Sequence, residues 1–194
     1  QSLMHAEHDV DRRRKLLAIN QQAFRAYEMI ADLMLFAKPP QLHRESLQVQ
    51  SLVSAVCQEL ESAEDVSCRI TSSMETLFVD GDETHLTVAI KAICQNGIEA
   101  MGGGGELLVE LSAKGNEVCV AISDSGSGLS EPSRRHLFDP FYSGREAGRG
   151  LGFGLSKAWR IVEQHRGRIT VASIPGRGSC FTIFLPMIRS NAQI

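Results

Sequence analysis

The chain has 194 residues, 43% of them apolar and 22% charged, with a formal net charge of −3. That length buries one sizeable core plus an appendage, and the mild negative balance carries no electrostatic footprint for nucleic acid, so no such partner is expected. No run approaches the roughly 20 apolar residues of a spanning helix and Gln1–Val10 lacks a signal-peptide centre, so no membrane contact by this stretch of chain is expected.

Cys57, Cys68, Cys94, Cys119 and Cys180 are odd in number and form no C-x-x-C pair. That argues against a structural zinc or a disulfide framework and fits buried thiols in a cytoplasmic setting, whatever anchors a longer protein.

From Asp11 to Ala37 there is neither Gly nor Pro, and Leu16, Ile19, Ala23, Ala26, Ile30, Leu33 and Ala37 recur at three-four spacing. The pattern predicts one long helix with a heptad seam. Leu17, Phe24, Tyr27, Met34 and Phe36 widen the stripe to that of a bundle helix with more than one neighbour. A single copy has too little to cover it, which predicts a homodimer through this helix. Pro39-Pro40 stops the helix, so residues 1–40 read as a dimerisation segment and Gln41–Gln48 as a linker. A second domain is expected over 49–188, with a tail at 189–194.

Beyond the linker the pattern is mixed. Leu47–Leu60 has helical periodicity, Val66–Thr71 and Leu77–Val79 read as short strands, and Glu83–Met101 reads as a helix capped by Asp82 and ended by Gly102–Gly105. Glu106–Ser112 and Glu117–Ser123 predict a hairpin across Lys114-Gly115-Asn116. A helix over Gly154–His165 and a hairpin of Arg168–Ser173 with Ser179–Leu185, turning at Pro175-Gly176-Arg177-Gly178, complete the chain. The expected architecture is an α/β two-layer sandwich, a mostly antiparallel sheet covered by helices on one face.

Two glycine clusters carry the chemistry. Asp124-Ser125-Gly126-Ser127-Gly128 sets an acceptor carboxylate beside flexible backbone, which suits reading a purine amino group. Gly150-Leu151-Gly152-Phe153-Gly154-Leu155 opens a helix, where unpaired N–H groups and the dipole favour phosphate. With Phe138-Asp139-Pro140-Phe141 between them, they read as one ATP pocket. A dinucleotide fingerprint fails here, because the spacing is G-x-G-x-G and no strand leads into it.

Asn96 in a helix, Asp124-x-Gly-x-Gly, Phe138-Asp139-Pro140-Phe141 and Gly150-x-Gly-x-Gly occur in the order of the N, G1, F and G2 boxes, and the chain resembles the sensor histidine kinases. These share a superfamily, the GHKL ATPases and kinases, with gyrase, the heat-shock chaperone ATPases and MutL. "LMLFAKP", Leu33–Pro39, resembles the end of the second dimerisation helix of such kinases, so the resemblance covers nearly the whole chain.

The resemblance implies that Asn96 coordinates Mg²⁺ at the phosphates of ATP, a role suited to a hard amide oxygen. It implies that Asp124 accepts from the adenine amino group, that Gly126 and Gly128 let backbone approach the base, and that Gly150, Leu151, Gly152, Gly154 and Leu155 lie at the phosphates behind a lid, Gly144–Arg149. Arg145 falls where the family often has Lys and would meet the γ-phosphate. Phe138 and Phe141 are expected to pack the lid against the core. The implied activity is transfer of the γ-phosphoryl group to a histidine and onward to the receiver domain of a response regulator.

Two positions depart from the family. Ala92 stands four residues before Asn96, where Asn, His or Glu is usual, so water activation of the gyrase kind is not expected. His8-Asp9 is a weak echo of the phosphoacceptor motif and no Pro follows it, which places the acceptor upstream of Gln1. The competing readings are a nucleotide-holding scaffold without transfer and an ATP hydrolase.

Overall fold

The structure, a computed structural model, describes residues 10–37, 41–63, 65–74, 76–142 and 152–188. The chain divides into two compact units at the Pro40/Gln41 junction. The first contains helix α1, Val10–Ala37, where the run free of Gly and Pro predicts it. Leu17, Ile19, Tyr27, Ile30 and Met34 of its apolar stripe are exposed.

The second unit runs through β1 (Glu45–Gln48), α2 (Val49–Ala63), β2 (Asp65–Ser72), β3 (Phe78–Gly81) and α3 (Glu83–Ala100). It continues with β4 (Gly104–Lys114), β5 (Glu117–Asp124), α4 (Glu131–Arg135), α5 (Gly154–Gln164), β6 (Arg168–Ile174) and β7 (Gly178–Ile188). The strands form one sheet in the order β1-β3-β7-β5-β4-β2, with β6 on β7. Among the described residues only the β2–β4 pair is parallel.

Alternation along the strands sends Leu107, Val109 and Leu111 of β4, Val118, Val120 and Ile122 of β5, and Phe181, Ile183 and Leu185 of β7 to one buried face. Onto this face α2, α3 and α5 bring Leu52, Val56, Leu60, Leu86, Ile90, Ile93, Ile161 and Val162 at helical spacing. The result is the two-layer sandwich expected from the sequence. On the opposite face Arg168 lies 4.0 Å over the Phe184 ring and forks onto Glu117, with Nη2 2.9 Å from Oε2.

At the open edge of the sheet, the Cys68 N–H points away from β4 and donates to Glu61 Oε1 at 2.7 Å. The carboxylate comes from the last turn of α2, so a helix side chain satisfies a donor that no strand covers.

Three expectations are corrected. Residues 41–48 are not a bare linker, because Glu45–Gln48 pairs with β3 in the register Leu47↔Val79. Leu47 fits the helical spacing of Leu47–Leu60 yet is buried from a strand, and the helix begins at Val49. Gly104 and Gly105 do not end α3 but open β4, whose parallel pairing with β2 begins at Asp65↔Gly104. Only Gly102 and Gly103, at φ +89° and +100°, terminate the helix, with Gly103 N–H returning to Ile98 O at 3.0 Å.

Candidate functional site

Asp124 closes β5 at the middle of the sheet and is 9% exposed. Its Oδ1 accepts the Gly126 N–H at 2.9 Å and the Ser179 N–H at 3.3 Å. Among the described residues none donates to Oδ2. Burial raises the carboxyl's pKa, and the two backbone donors oppose the rise.

Helix α3 meets this carboxylate with a glycine. A Cβ on Gly97 would lie 3.2 Å from Asp124 Cβ, so the absence of a side chain lets the helix lie against the strand end. One turn on, a Cβ on Gly126 would lie 2.6 Å from the carbonyl of Ala100, to which Ser127 N–H donates at 3.2 Å. Asn96 stands four residues before Ala100 and therefore on the face of α3 that the 124–128 loop covers. Asn96 is half-buried there. Helix periodicity and the strand register thus bring Asn96 and Asp124 to one end of the sandwich.

The 124–128 loop is held on its other side by the β6–β7 turn. Gly176 N–H donates to Ser127 O at 2.7 Å, and Leu129 N–H to Ser173 Oγ at 2.8 Å. Gly128, at φ +66°, has no room for a side chain, since a Cβ would be 2.2 Å from Ile174 O. Gly178 is equally constrained, a Cβ falling 2.0 Å from Asp124 O at φ +91°. Ser179, Gly178, Ser173 and Gly97 are the site residues that sequence reading missed. The β6–β7 turn is legible, but the register Asp124↔Ser179 that makes it part of the site is not.

Gly152 adopts φ +71°, and a Cβ there would lie 2.6 Å from Tyr142 O and 2.8 Å from Phe141 C. Helix α5 then starts at Gly154 after Phe153, which makes no side-chain capping bond, and a Cβ on Gly154 would meet nothing within 4 Å. Among the described residues no side chain caps the first N–H groups of α5, the arrangement that suits an anion. Leu155 lies in this first turn and is half-buried.

Phe138 is half-buried, whereas Phe141 is 61% exposed and touches Phe153 edge-on at 4.5 Å, at φ 66°. Phe141 thus packs on the residue before α5 and not into the core. Arg145, Gly150, Leu151 and the expected lid 144–149 lie outside the described residues, as does His8. Ala92 is half-buried on α3.

Among the described residues no group of three His, Cys, Asp or Glu side chains could hold a metal, and no helix is long and apolar enough to cross a membrane.

A buried acceptor at a strand end, a glycine-floored loop and an uncapped helix start, all on an open mixed sheet with helices on one face, define a nucleotide-binding α/β sandwich. Residues 81–189 match the model of the histidine kinase-, DNA gyrase B- and HSP90-like ATPases, and the chain belongs to that family.

Among curated proteins it is similar to the sensor histidine kinase ZraS of Escherichia coli, 31% identical over 170 residues covering 86% of this chain and 36% of ZraS. It is also similar to sporulation kinase C of Bacillus subtilis, 28% identical over 163 residues covering 82% of this chain and 38% of the kinase. The chain thus spans little more than a third of either relative.

Two solved structures share the fold. The catalytic domain of histidine kinase ThkA has a TM-score of 0.66 at 24% identity, covering 74% of this chain and 95% of that one. Full-length ShkA in complex with AMPPNP has a TM-score of 0.78 at 20% identity, covering 97% and 41%.

Proposed function

We propose that this chain is the nucleotide-binding kinase core of a two-component sensor histidine kinase, acting as a homodimer through α1. The Oδ2 of Asp124, on a side chain only 9% exposed and without a donor among the described residues, carries the reading: an exocyclic adenine amino group satisfies it and the keto oxygen of guanine does not. The uncapped start of α5 takes the phosphates. Asn96 supplies one hard oxygen to Mg²⁺, an ion that keeps waters and shares ligands with phosphate, so a full protein ligand cage is not needed. The curated relatives named as sensor and sporulation kinases, and the AMPPNP-bound structure that shares the fold, support it.

In this reading the bond from the γ-phosphorus to the bridging oxygen of ATP breaks and a bond to an imidazole nitrogen forms. The acceptor histidine belongs to the dimer's helical bundle, and an aspartate of a receiver domain takes the group next. The protein contributes positioning and charge neutralisation.

Calorimetry with ADP, with and without Mg²⁺, tests the site, and transfer from labelled Mg-ATP to an added histidine-bearing kinase hairpin tests the reaction. Binding with transfer is the expected result. Absence of heat with ADP overturns the nucleotide reading. Ala92, which leaves the face of α3 beside Asn96 without the family's usual polar group, favours a second reading, a nucleotide-holding scaffold. Binding without transfer is its signature.

A further inference from the structure

At the ends of α3 and α5 away from the site, a buried polar node joins the two helices. His165, 2% exposed, follows the last turn of α5, and its Nε2 accepts the Asp82 N–H at 3.0 Å. Its Nδ1 lies 2.7 Å from Ile161 O and donates to it, so the partners assign the neutral Nδ1–H tautomer.

Asp82 is the cap of α3: Oδ1 accepts the His85 N–H at 3.0 Å and Oδ2 accepts the His43 N–H at 2.9 Å. Arg44 donates from Nη2 to the Gln164 carbonyl at 2.5 Å. Gly81 leaves the imidazole room, since a Cβ there would lie 3.3 Å from His165 Cδ2 and 2.6 Å from Leu86 Cδ1.

Helix α3 leaves this node and reaches Asn96 after roughly 20 Å, while α5 starts at Gly154 and arrives at the node after roughly 17 Å. The two helices pack against each other in opposite directions, with one hydrogen bond between side chain and backbone at their shared end. The node lies at the opposite helix ends from the candidate site, and the direction of each helix fixes where its site residue falls. Packed helices shift as rigid bodies, so a change at the shared end is delivered to the other.

We propose that His165 is a positioning residue for the nucleotide site: its bond to the Asp82 N–H sets the spacing of α3 and α5, and with it the gap between the base end and the phosphate end. The inference rests on the nucleotide reading above. It separates two roles of the imidazole, because the bond to Ile161 stays within α5 and the bond to Asp82 crosses between helices. Only the crossing bond controls the gap.

The test is calorimetric titration of ADP into the whole chain and into His165→Gln and His165→Asn, with circular dichroism establishing that each is folded at the titration temperature. Gln places its carbonyl oxygen at the Nε2 position and keeps the bond to Asp82. Asn reaches only as far as Nδ1 and keeps the bond within α5. The expected result is ADP affinity within threefold of the unsubstituted chain for His165→Gln and at least tenfold weaker for folded His165→Asn.

Equal affinities for the two variants, in either direction, overturn the proposal. Where His165→Asn does not fold, a folded His165→Leu, which has no acceptor for the Asp82 N–H, takes its place under the same criterion, and a folded His165→Gln more than threefold weak overturns the proposal. Absence of ADP binding by the unsubstituted chain instead removes the nucleotide reading, which distinguishes that failure from failure of the positioning role.

Discussion

Gly97 and Asp124 face one another across the α3–β5 contact so closely that a methyl on the glycine would stand 3.2 Å from Asp124 Cβ and 3.0 Å from Leu107 Cδ2, displacing each by a few tenths of an ångström. Gly97→Ala gains about 1 kcal/mol of helix propensity, which offsets the displacement of its neighbours. We therefore expect the melting temperature to change little while ADP affinity falls several-fold, because the carboxylate moves. Paired thermal melts and calorimetry check this, and unchanged affinity contradicts it.

Asp124→Asn keeps an oxygen for the Gly126 and Ser179 N–H groups, so the loop stays in place. On the proposed reading, what is lost is a charged acceptor for the base. Hydrogen bonds to charged groups are worth about 1.5–3 kcal/mol, which predicts ADP affinity lower by about tenfold to a hundredfold. Competition between adenine and guanine nucleotides should also lose its preference.

Asn96→Ala is expected to leave metal-free ADP binding intact and to remove the gain that Mg²⁺ confers. Titrating Mg²⁺ against a fixed ADP concentration measures the difference. Retention of the full Mg²⁺ effect excludes Asn96 as the ligand.

Gly176 and Gly178 share a turn and a left-handed conformation but differ in their surroundings. A Cβ on Gly176 meets nothing within 4 Å, whereas one on Gly178 would be 2.0 Å from the Asp124 carbonyl oxygen. Gly176→Ala should therefore cost about 1–2 kcal/mol from backbone strain alone, and Gly178→Ala at least about 3 kcal/mol. Chemical denaturation of both variants gives the comparison.

Acid should remove stability in two stages from the node around His165. Burial lowers the imidazole's pKa below its ordinary value of 6.5, opposed by the Ile161 carbonyl. Its contribution is complete above that value and declines as pH falls below it, because only the unfolded chain takes the proton readily.

Burial pushes the Asp82 carboxyl up, but its bonds with the His85 side chain and the His85 and His43 N–H groups outweigh this and bring it down to about 2 from 3.8. That contribution, roughly 2 kcal/mol, is complete above pH 3.8 and declines toward pH 2. Denaturation across pH should show His165→Gln lacking the first stage and Asp82→Asn lacking the second.

The sequence made the helices and the hairpins legible because their signals are local: an unbroken apolar period for α1, an Asp cap for α3, a Lys-Gly-Asn turn between β4 and β5. It made Asp124 a candidate because carboxylate and glycines are neighbours in the chain. Ser179 and Gly97 were hidden because their roles depend on contacts across the fold. The strand register brings Ser179 to Asp124, and the packing of α3 brings Gly97 there. Leu47 misled because a residue entering a helix from a strand satisfies both periods, and only the partner Val79 decides between them.

The bond from Glu61 to the outward N–H of Cys68 bears on how copies of this domain meet in solution. An uncovered strand margin is a template on which another chain can extend the sheet, and a carboxylate fixed over one of its donors blocks the in-line approach such growth needs. Strand addition by a second copy is thereby disfavoured at this rim.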